Sequence, residues 1–408
     1  MSRRNIVAGI DIGTNKIVAL IGEIIDEELS VIGVGKVKVN AINSDGAITN
    51  IDDLKNKIQI AIEEAEKMAD VQVDSLFVNL FGNNIRCFSA KGTVSISSRD
   101  KGIISEDLSR VLEDVKNNII IPEGYEIVHI LARNFSVDEM TGIKDPIGMK
   151  GSSLEADVYV VTSSIAIITN IENSIQSAGF DISDFVYEPL ASAESVLTED
   201  EKKLGAAVVD IGGGYTTISV YKNGSIVSSA FISMGSASIT SDLAIILRTS
   251  FEEAEKIKIR HGNLYNLEND NEKVELFNTS RESVKIVTKK YINEILFARF
   301  EEVFKFVYEH LEKEGLVEDI KAGIVLTGGG SQVEGLPVYV EHLFEMPVRN
   351  GRPLSLKGLF DKINSPVYTV ATGILRYARK SNINAVKINN RFLSNMIYKI
   401  KEFFDTYF

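Results

Sequence analysis

Two stretches of the chain, about two hundred residues apart, place the same chemical groups at the same kind of turn. "DIGTNKIVALIGEI" begins at Asp11, and "DIGGGYTTISVYKNGSI" begins at Asp210. In each, an apolar strand ends in an aspartate that glycine follows, so a carboxylate lies beside backbone N–H groups that no side chain shields. Two such turns facing each other would clamp a polyphosphate between them.

The residues around these turns suit a metal-bound polyphosphate. Asp11 and Asp210 are candidates to hold Mg²⁺ through its waters, since this ion retains several waters and needs few carboxylates. Lys16 lies just past the first turn and can reach a phosphate as a point charge. Thr14 and Thr216 add hydroxyl groups. The pattern therefore predicts a magnesium site between two similar halves of the chain.

A third glycine turn, in "IVLTGGGSQVEGL", suits another part of the same ligand. Gly328, Gly329 and Gly330 lie between an apolar strand and the start of a helix, a place that favours an α-phosphate or a flat base. Each turn alone also suits a tight hairpin without a ligand. Three turns at strand ends favour one nucleotide, although the chain has neither a Walker A loop nor a GxGxxG fingerprint.

The composition limits the class of protein. A chain of 408 residues predicts two or three domains. The net charge of −13 argues against a general nucleic-acid binder. The single cysteine, Cys87, excludes an internal disulfide framework, and the four histidines lack zinc-ligand spacing. We expect neither a signal peptide nor a membrane-spanning helix, because no apolar run approaches about 20 residues.

The order of predicted elements is that of a layered α/β protein. Strand, glycine turn, strands and helix occur early and recur after residue 204, while short strands and one helix between Asn83 and Ala156 indicate an inserted subdomain. Helical patterns are predicted across "SASITSDLAIILRTSFEEAEKIKIRHG" and "RESVKIVTKKYINEILFARFEEVFKFVYEHLEKEG". "RKSNINAVKINN" is polar and predicts a linker.

These motifs resemble the actin-like ATPase superfamily and, within it, the FtsA family of bacterial cell-division proteins. "GIDIGTNKIVALIGE" and "AVVDIGGGYTT" are similar to the two phosphate motifs, and "GIVLTGGGSQVEGL" is similar to the adenosine motif. "VYEPLASAESVL" resembles a connecting segment, "DPIGMKGSSLEADVYVVT" the inserted subdomain and "FEEAEKIKIRHG" the helix near the ribose. The resemblance covers essentially the whole chain.

The resemblance implies an α/β actin-like fold, with two similar halves around a nucleotide cleft, an inserted α+β subdomain and a C-terminal amphipathic helix. The first half is expected at 1–82 and 157–195, with a C-terminal helix near 366–379, and the insertion at 83–156. The second half is expected at 196–228 and 300–365, with a small subdomain at 229–299. A linker at 380–390 would precede a membrane-targeting helix at 391–408.

The resemblance also implies roles for individual residues. Asp11, Glu188 and Asp210 are the expected catalytic residues, and Glu188 would orient or deprotonate the attacking water in a slow ATPase. The expected ATP-binding residues are Gly13, Thr14, Asn15, Lys16, Gly212, Gly213, Gly214, Tyr215, Thr216, Gly235, Glu255, Lys258, Gly328, Gly329, Gly330 and Ser331. Glu255 and Lys258 also suit a plain solvated pair, since they are three residues apart.

The C-terminal residues form an amphipathic pattern at helical spacing. The apolar positions are Phe392, Leu393, Met396, Ile397, Ile400, Phe403, Phe404 and Tyr407. Such a helix can lie in the lipid headgroup plane, or it can dock on its own domain. The polar segment before it favours the membrane, with self-assembly into filaments supplying avidity. We therefore expect a protein at the cytoplasmic face of the cell membrane, and the family resemblance implies the division septum.

A basic group suggests a partner surface. Arg281, Lys285 and Lys289 recur every four residues with Lys290 adjacent, which predicts one helix face. That face suits either solvent or an acidic peptide, and the family resemblance implies the C-terminal tail of FtsZ.

Other classes of protein share this fold. A pilus-assembly protein is similar in fold and membrane location. A sugar kinase or exopolyphosphatase would need an acceptor site, and a chaperone ATPase would need a large domain after the nucleotide domain. The "DPIGMKG" insertion and the amphipathic tail favour the cell-division family.

Overall fold

The chain folds into an α/β structure with two large mixed sheets and two smaller antiparallel sheets. The computed structural model describes residues 4–96, 102–265, 271–277 and 284–387, with side chains up to residue 380. The strands are β1 (Ile6–Ile12), β2 (Lys16–Ile25), β3 (Glu28–Lys38), β4 (Ser75–Leu80), β5 (Ile85–Ser95), β6 (Tyr125–Val137), β7 (Met140–Ile143), β8 (Ser153–Ser164), β9 (Asp181–Tyr187), β10 (Ala206–Ile211), β11 (Thr216–Lys222), β12 (Ser225–Ile232), β13 (Lys273–Phe277), β14 (Val284–Thr288), β15 (Ile324–Thr327), β16 (Val348–Asn350) and β17 (Lys357–Gly358). The helices are α1 (Ile51–Ala69), α2 (Ser105–Asn118), α3 (Ile165–Ser177), α4 (Glu188–Val196), α5 (Glu199–Leu204), α6 (Ser236–Leu247), α7 (Phe251–His261), α8 (Lys289–Lys313), α9 (Leu336–Phe344), α10 (Phe360–Ile363) and α11 (Thr369–Lys387).

The two large sheets repeat one topology. The first has the order β17-β3-β2-β1-β4-β9, and the second has the order β12-β11-β10-β15-β16. In each, the strand that carries the aspartate pairs antiparallel with the strand after it and parallel with a later strand. The expectation of two similar halves is confirmed, and the duplicated motifs begin the matching hairpins β1–β2 and β10–β11.

Apolar strands form the interior of each half. All of β10 is buried, and β1 is buried from Val7 to Ile12. Helix α1 covers the first sheet with its buried residues Leu54, Ile58 and Ala61, and its start is capped where the Asn50 side chain accepts a hydrogen bond from the N–H of Asp53. Helix α11 packs against β1 and α4, so the last described helix belongs to the core of the first half.

The inserted subdomain has its own sheet and core. Its strands have the order β5-β8-β6-β7, and α2 packs on β5 and β8 over a separate cluster of buried side chains. Strand β8 runs to Ser164, beyond the expected boundary at residue 156, and leads directly into α3. Helix α8 likewise crosses the expected boundary between residues 299 and 300. The domain bounds therefore remain predictions, and two of them would cut through a continuous element, β8 or α8.

Two predicted helical segments contain other structure. The first is interrupted at Arg248, whose φ of 54° ends α6, and Ser250 then caps α7. In the second, the β-branched residues before Thr288 form β14, which pairs with β13, and Thr288 caps α8. The prediction that Arg281, Lys285 and Lys289 align on one helix face, with Lys290 adjacent, is therefore wrong. Lys285 is on a strand, whereas Lys289 and Lys290 begin a helix, and Arg281 lies outside the described residues.

The last described helix differs from one further expectation. The predicted linker at 380–390 is helical as far as Lys387, because α11 continues without a break. The expected membrane helix at 391–408 lies outside the described residues. Within the ranges that the structure describes, no helix is both long enough and apolar enough to span a bilayer.

Candidate functional site

The two aspartate-bearing turns have the same backbone geometry. The N–H of Gly13 donates to the carbonyl of Lys16 at 3.0 Å, and the N–H of Gly212 donates to the carbonyl of Tyr215 at 2.9 Å. Each bond closes the turn between an inner strand and its antiparallel neighbour. The duplicated sequence therefore encodes a duplicated hairpin.

The two hairpins contact each other directly. The N–H of Gly214 donates to Thr14 Oγ1 at 2.8 Å. A Cβ atom at Gly213 would lie 2.5 Å from Asn15 Nδ2, so a side chain there would displace the side chain of Asn15. The glycines thus let the second turn pack closely against the side chains of Thr14 and Asn15 in the first turn.

The carboxylates of Asp11 and Asp210 are buried behind these turns, with 5% and 6% exposure. Burial raises the pKa of Asp11 to about 7; Lys16 partly offsets this rise, and Asp210 adds to it. Burial also raises the pKa of Asp210, against the hydrogen bond from Ser192 and the charge of Lys16. The site therefore holds two acidic groups whose negative charge Lys16 only partly neutralises.

Lys16 lies between these acids but donates to another group. Its Nζ donates to the carbonyl of Val367 at 2.7 Å, in the short 3₁₀ turn before α11. Burial lowers the pKa of Lys16, while the charges of Asp11 and Asp210 oppose that change. The ammonium group is therefore close to both acids, and a phosphate there would compete for it with a backbone carbonyl.

Glu188 joins the same buried group. It begins α4, directly after β9, and is 4% exposed. Its Oε2 accepts hydrogen bonds from the Tyr215 hydroxyl at 2.8 Å and from Asn79 Nδ2 at 3.1 Å. Burial, followed by the charges of Asp11 and Asp210, raises the pKa of Glu188 well above its ordinary value. The structure thus brings all three expected catalytic residues into one electrostatic unit.

Sequence reasoning missed two residues of this unit. Asn79 is fully buried; its Nδ2 also donates to Asp11 Oδ1 at 3.3 Å, and its Oδ1 accepts from the N–H of Ile12 at 2.7 Å. Ser192 donates to Asp210 Oδ2 at 2.6 Å. Each had a signal: Asn79 is the one polar residue inside "LFVNLF", and Ser192 lies one helical turn after Glu188.

Several expected ligand-binding side chains are engaged inside the protein. The Tyr215 ring lies between Phe81 and Phe231, with ring centroids at 6.1 and 4.9 Å. Thr216 is buried and donates to the carbonyl of Met234, and Ser331 donates to the carbonyl of Gly328. These side chains support the turns through contacts inside the protein.

The third turn lies beside the second. Gly328 has a φ of 82°, a conformation that favours glycine, and a Cβ there would lie 2.2 Å from Asp210 Oδ1. Gly330 packs on Ile211, whereas Gly329 is exposed and faces no atom within 4 Å. The turn therefore packs against the Asp210 hairpin, and Gly329 remains exposed to solvent.

Gly235, Glu255 and Lys258 adjoin the second turn. A Cβ at Gly235 would meet the Gly213 carbonyl at 2.5 Å. Lys258 Nζ donates to the Ser236 carbonyl at 2.9 Å and pairs with Glu255 at 2.7 Å. Glu255 is nearly half exposed at its side chain, but its Oε2 also accepts a hydrogen bond from Thr240, while Lys258 is buried against α6.

The donor set decides what kind of metal fits. Among the described residues, no group of three or more histidine, cysteine, aspartate or glutamate side chains converges on a metal-sized position. Two buried carboxylates beside glycine turns suit an ion that keeps most of its own water and also binds phosphate. The residues present therefore fit Mg²⁺ held with a polyphosphate.

Two family models match this chain. The model described as cell division protein FtsA matches residues 207–373, and the model described as the SHS2 domain inserted in FtsA matches residues 82–162. The second match contains the inserted sheet as far as Thr162. Together they cover the Asp210 hairpin, the third turn and the insertion.

Sequence relatives and solved structures agree with these matches. The cell division protein FtsA of Pseudomonas aeruginosa is 38% identical, covering 94% of this chain and 91% of the relative, and that of Neisseria meningitidis serogroup B is 35% identical, covering 94% and 92%. In fold, the chain resembles a PilM–PilN type IV pilus biogenesis complex (TM-score 0.65, 13% identity, covering 91% of this chain and 98% of that one). It also resembles MreB5 of Spiroplasma citri bound to ADP (TM-score 0.58, 15% identity, covering 93% and 99%). At such identities these structures concern the fold alone. By family match, sequence identity and architecture, this chain belongs to the FtsA family of cell division proteins.

Proposed function

We propose that this protein binds ATP with Mg²⁺ between its two hairpins and acts in cell division as a membrane-bound, filament-forming anchor for FtsZ. The observation that carries the nucleotide proposal is the meeting of two duplicated turns, each with a buried aspartate, around one lysine. The fold neighbour MreB5 of Spiroplasma citri was solved bound to ADP, which supports the same proposal.

The electrostatics favour a cation at this place. The charge of Asp210 raises the cost of ionising the buried Asp11, and Lys16 donates elsewhere. A divalent ion near both carboxylates would remove that cost, and the backbone N–H groups of the glycine turns would bind the phosphates. When bound, Mg²⁺ would neutralise developing charge on the transferring phosphoryl group.

Glu188 is the proposed general base. Its Oε2 is held by Tyr215 and Asn79, so the side chain has a fixed orientation. A general base must be ionised, yet the raised pKa of Glu188 favours the protonated acid while Asp11 and Asp210 remain unneutralised. We therefore propose slow hydrolysis, in which nucleotide binding matters more than turnover.

Thermal stability tests this proposal directly. A ligand that binds only the folded state raises stability, by about 2.7 kcal/mol at one hundred times its Kd. We expect ATP with Mg²⁺ to raise the melting temperature, and Asp210→Asn to remove the magnesium-dependent part of that rise. Asp74→Asn, at an exposed carboxylate, is the matched control. No shift with the natural protein would contradict nucleotide binding.

The membrane proposal rests on the amphipathic pattern of residues 391–408. A shortened protein should end at Lys387, so that it keeps all of α11 that the structure describes. We expect the full chain to sediment with vesicles that contain anionic lipid, and the shortened chain to remain in the supernatant. Because one short helix binds weakly, filament-forming conditions with ATP should increase sedimentation. Equal sedimentation of the two proteins would contradict the membrane role.

The FtsZ tail is the proposed partner, and the basic residues around the β14–α8 junction are the proposed contact. Lys285 is exposed on β14, and Lys289 pairs with Glu272. We expect a synthetic peptide of the FtsZ C-terminal tail to bind the natural protein, and Lys285→Glu to weaken binding about tenfold. Lys116→Glu, an exposed lysine on α2, should change nothing. Equal loss in both variants would indicate a nonspecific charge effect.

A further inference from the structure

Three hydroxyl groups meet where the insertion and the two halves come together. The Tyr159 hydroxyl, from β8 of the insertion, lies 2.7 Å from Ser229 Oγ on β12 of the second half. The Tyr187 hydroxyl, from β9 of the first half, lies 2.9 Å from the same Ser229 oxygen. One serine therefore connects the inserted subdomain and the first half to the second half.

The C-terminal end of β9 makes a second contact with the insertion. The N–H of Tyr187 donates to His129 Nε2 at 3.0 Å, and His129 is buried on β6 of the insertion. Tyr187 directly precedes Glu188 in the sequence. The insertion thus contacts the backbone from which Glu188 starts, although it contributes no side chain to the phosphate turns.

Ser229 is linked to the nucleotide turns through regular structure. It pairs with Ser219 on β11, the strand that follows the Asp210 turn. Past the end of β12, the N–H of Ser236 donates to the Gly212 carbonyl at 2.9 Å. A shift of the second turn relative to the first would therefore carry Ser229 with it, away from two tyrosines anchored elsewhere.

A cavity of about 80 Å³ adjoins this junction, and its walls include Cys87, Tyr187, Glu188 and Ser229. Burial raises the pKa of the Cys87 thiol, while hydrogen bonds with Ser229, Tyr187 and Tyr159 partly offset that rise. Cys87 is the single cysteine of the chain. A small thiol reagent would therefore report on this junction without any engineered label.

We propose that Tyr159 is a positioning residue, which couples the inserted subdomain to the nucleotide cleft through Ser229 and Tyr187. The proposal rests on nucleotide binding between the hairpins, where a triphosphate would compete with Thr14 Oγ1 for the N–H of Gly214. Loss of that hydrogen bond changes the Tyr159–Ser229–Tyr187 contacts. In the reverse direction, a partner bound to the insertion changes the position of Glu188.

The test uses the full chain and methyl methanethiosulfonate, a reagent small enough for the cavity, with modification of Cys87 followed by intact mass. The modification rate is measured without nucleotide and with a non-hydrolysable ATP analogue plus Mg²⁺, and melting temperature is recorded on the same samples. We expect the nucleotide to change the rate at least threefold in either direction. Equal rates in a sample whose melting temperature rises would overturn the coupling while leaving nucleotide binding intact.

Two variants test whether the hydroxyl groups carry the coupling. Tyr159→Phe keeps the ring and removes one hydroxyl, and Ser229→Ala removes the shared oxygen. We expect both variants to retain the thermal shift while the ratio of rates with and without nucleotide falls below 1.5. Tyr339→Phe, on α9 in contact with Phe297 and Phe304, should keep the natural ratio. Natural ratios in both junction variants would overturn the proposal, and absence of any thermal shift in the natural protein would overturn both proposals.

Discussion

The substitution Asp11→Asn should stabilise the nucleotide-free protein and weaken nucleotide binding. The carboxyl has a pKa of 3.8 in its unperturbed state and about 7 in the folded protein. One pKa unit corresponds to about 1.4 kcal/mol, so the difference amounts to about 4 kcal/mol. Asparagine has nearly the same shape but never ionises, and it can still accept the hydrogen bond from Asn79.

The sign follows from proton binding. Between pH 3.8 and about 7 the folded state binds the Asp11 proton more tightly than the unfolded state, so the free energy of unfolding falls as pH rises. The variant lacks this loss. Its advantage should grow from about 1.5 kcal/mol at pH 5 to about 4 kcal/mol at pH 8, as an upper bound.

Thermal melting at pH 5 and pH 8 measures this difference. At about 2 °C per kcal/mol for a large domain, the variant should melt about 3 °C higher at pH 5 and up to about 8 °C higher at pH 8. ATP with Mg²⁺ should raise the melting temperature of the natural protein but not that of the variant. A variant that melts lower at pH 8 without nucleotide would refute the reasoning, because attraction to Lys16 would then outweigh the cost of burial.

Three further predictions concern the buried acids. Glu188→Gln should retain the thermal shift with ATP while phosphate release falls by a factor of about 10² or more, since the base is lost; unchanged release would exclude that role. Because burial and two neighbouring acids raise the pKa of Glu188 well above its ordinary value of 4.5, phosphate release by the natural protein should still increase with pH above the range in which an ordinary glutamate titrates, and a flat pH profile there would contradict this. Burial raises the pKa of Glu194, but Lys202 and Lys380 more than offset that and hold it well below its ordinary value. Glu194→Gln should therefore lower the free energy of unfolding by about 3 kcal/mol at pH 7. That loss should shrink below about pH 4.5 in urea titrations, where the natural carboxyl of the unfolded chain becomes protonated.

The sequence predicted the hairpins because their causes are local. An apolar strand that ends in Asp-Ile-Gly specifies its own turn, and the same bond from Gly13 to Lys16 recurs from Gly212 to Tyr215. The duplicated order of strands followed from the same repetition. The family resemblance added the insertion, and the structure shows its separate core.

The parts that sequence reasoning missed depend on contacts between distant segments. Asn79 reaches Asp11 and Glu188 only because β4 lies between β1 and β9 in the sheet. The spacing of the apolar residues before Thr288 is compatible with a helix and with a strand. Pairing with β13 stabilises the strand. The polar composition after Ala378 predicted a linker, yet polar residues such as Lys380 remain good helix formers, and the helix continues.

If the protein binds a membrane through residues 391–408, as proposed above, the length of α11 limits its distance from the membrane surface. Residues 380–387 would span up to about 28 Å as extended chain, but as helix they span about 12 Å. Because α11 is built into the core of the first half, its direction fixes where the remaining chain departs. A flexible strap would let neighbouring molecules rotate independently on a lipid sheet. In the membrane binding proposed above, a helical segment would instead hold every molecule at a similar height and tilt, and this would bring the same flank of each into line with the next.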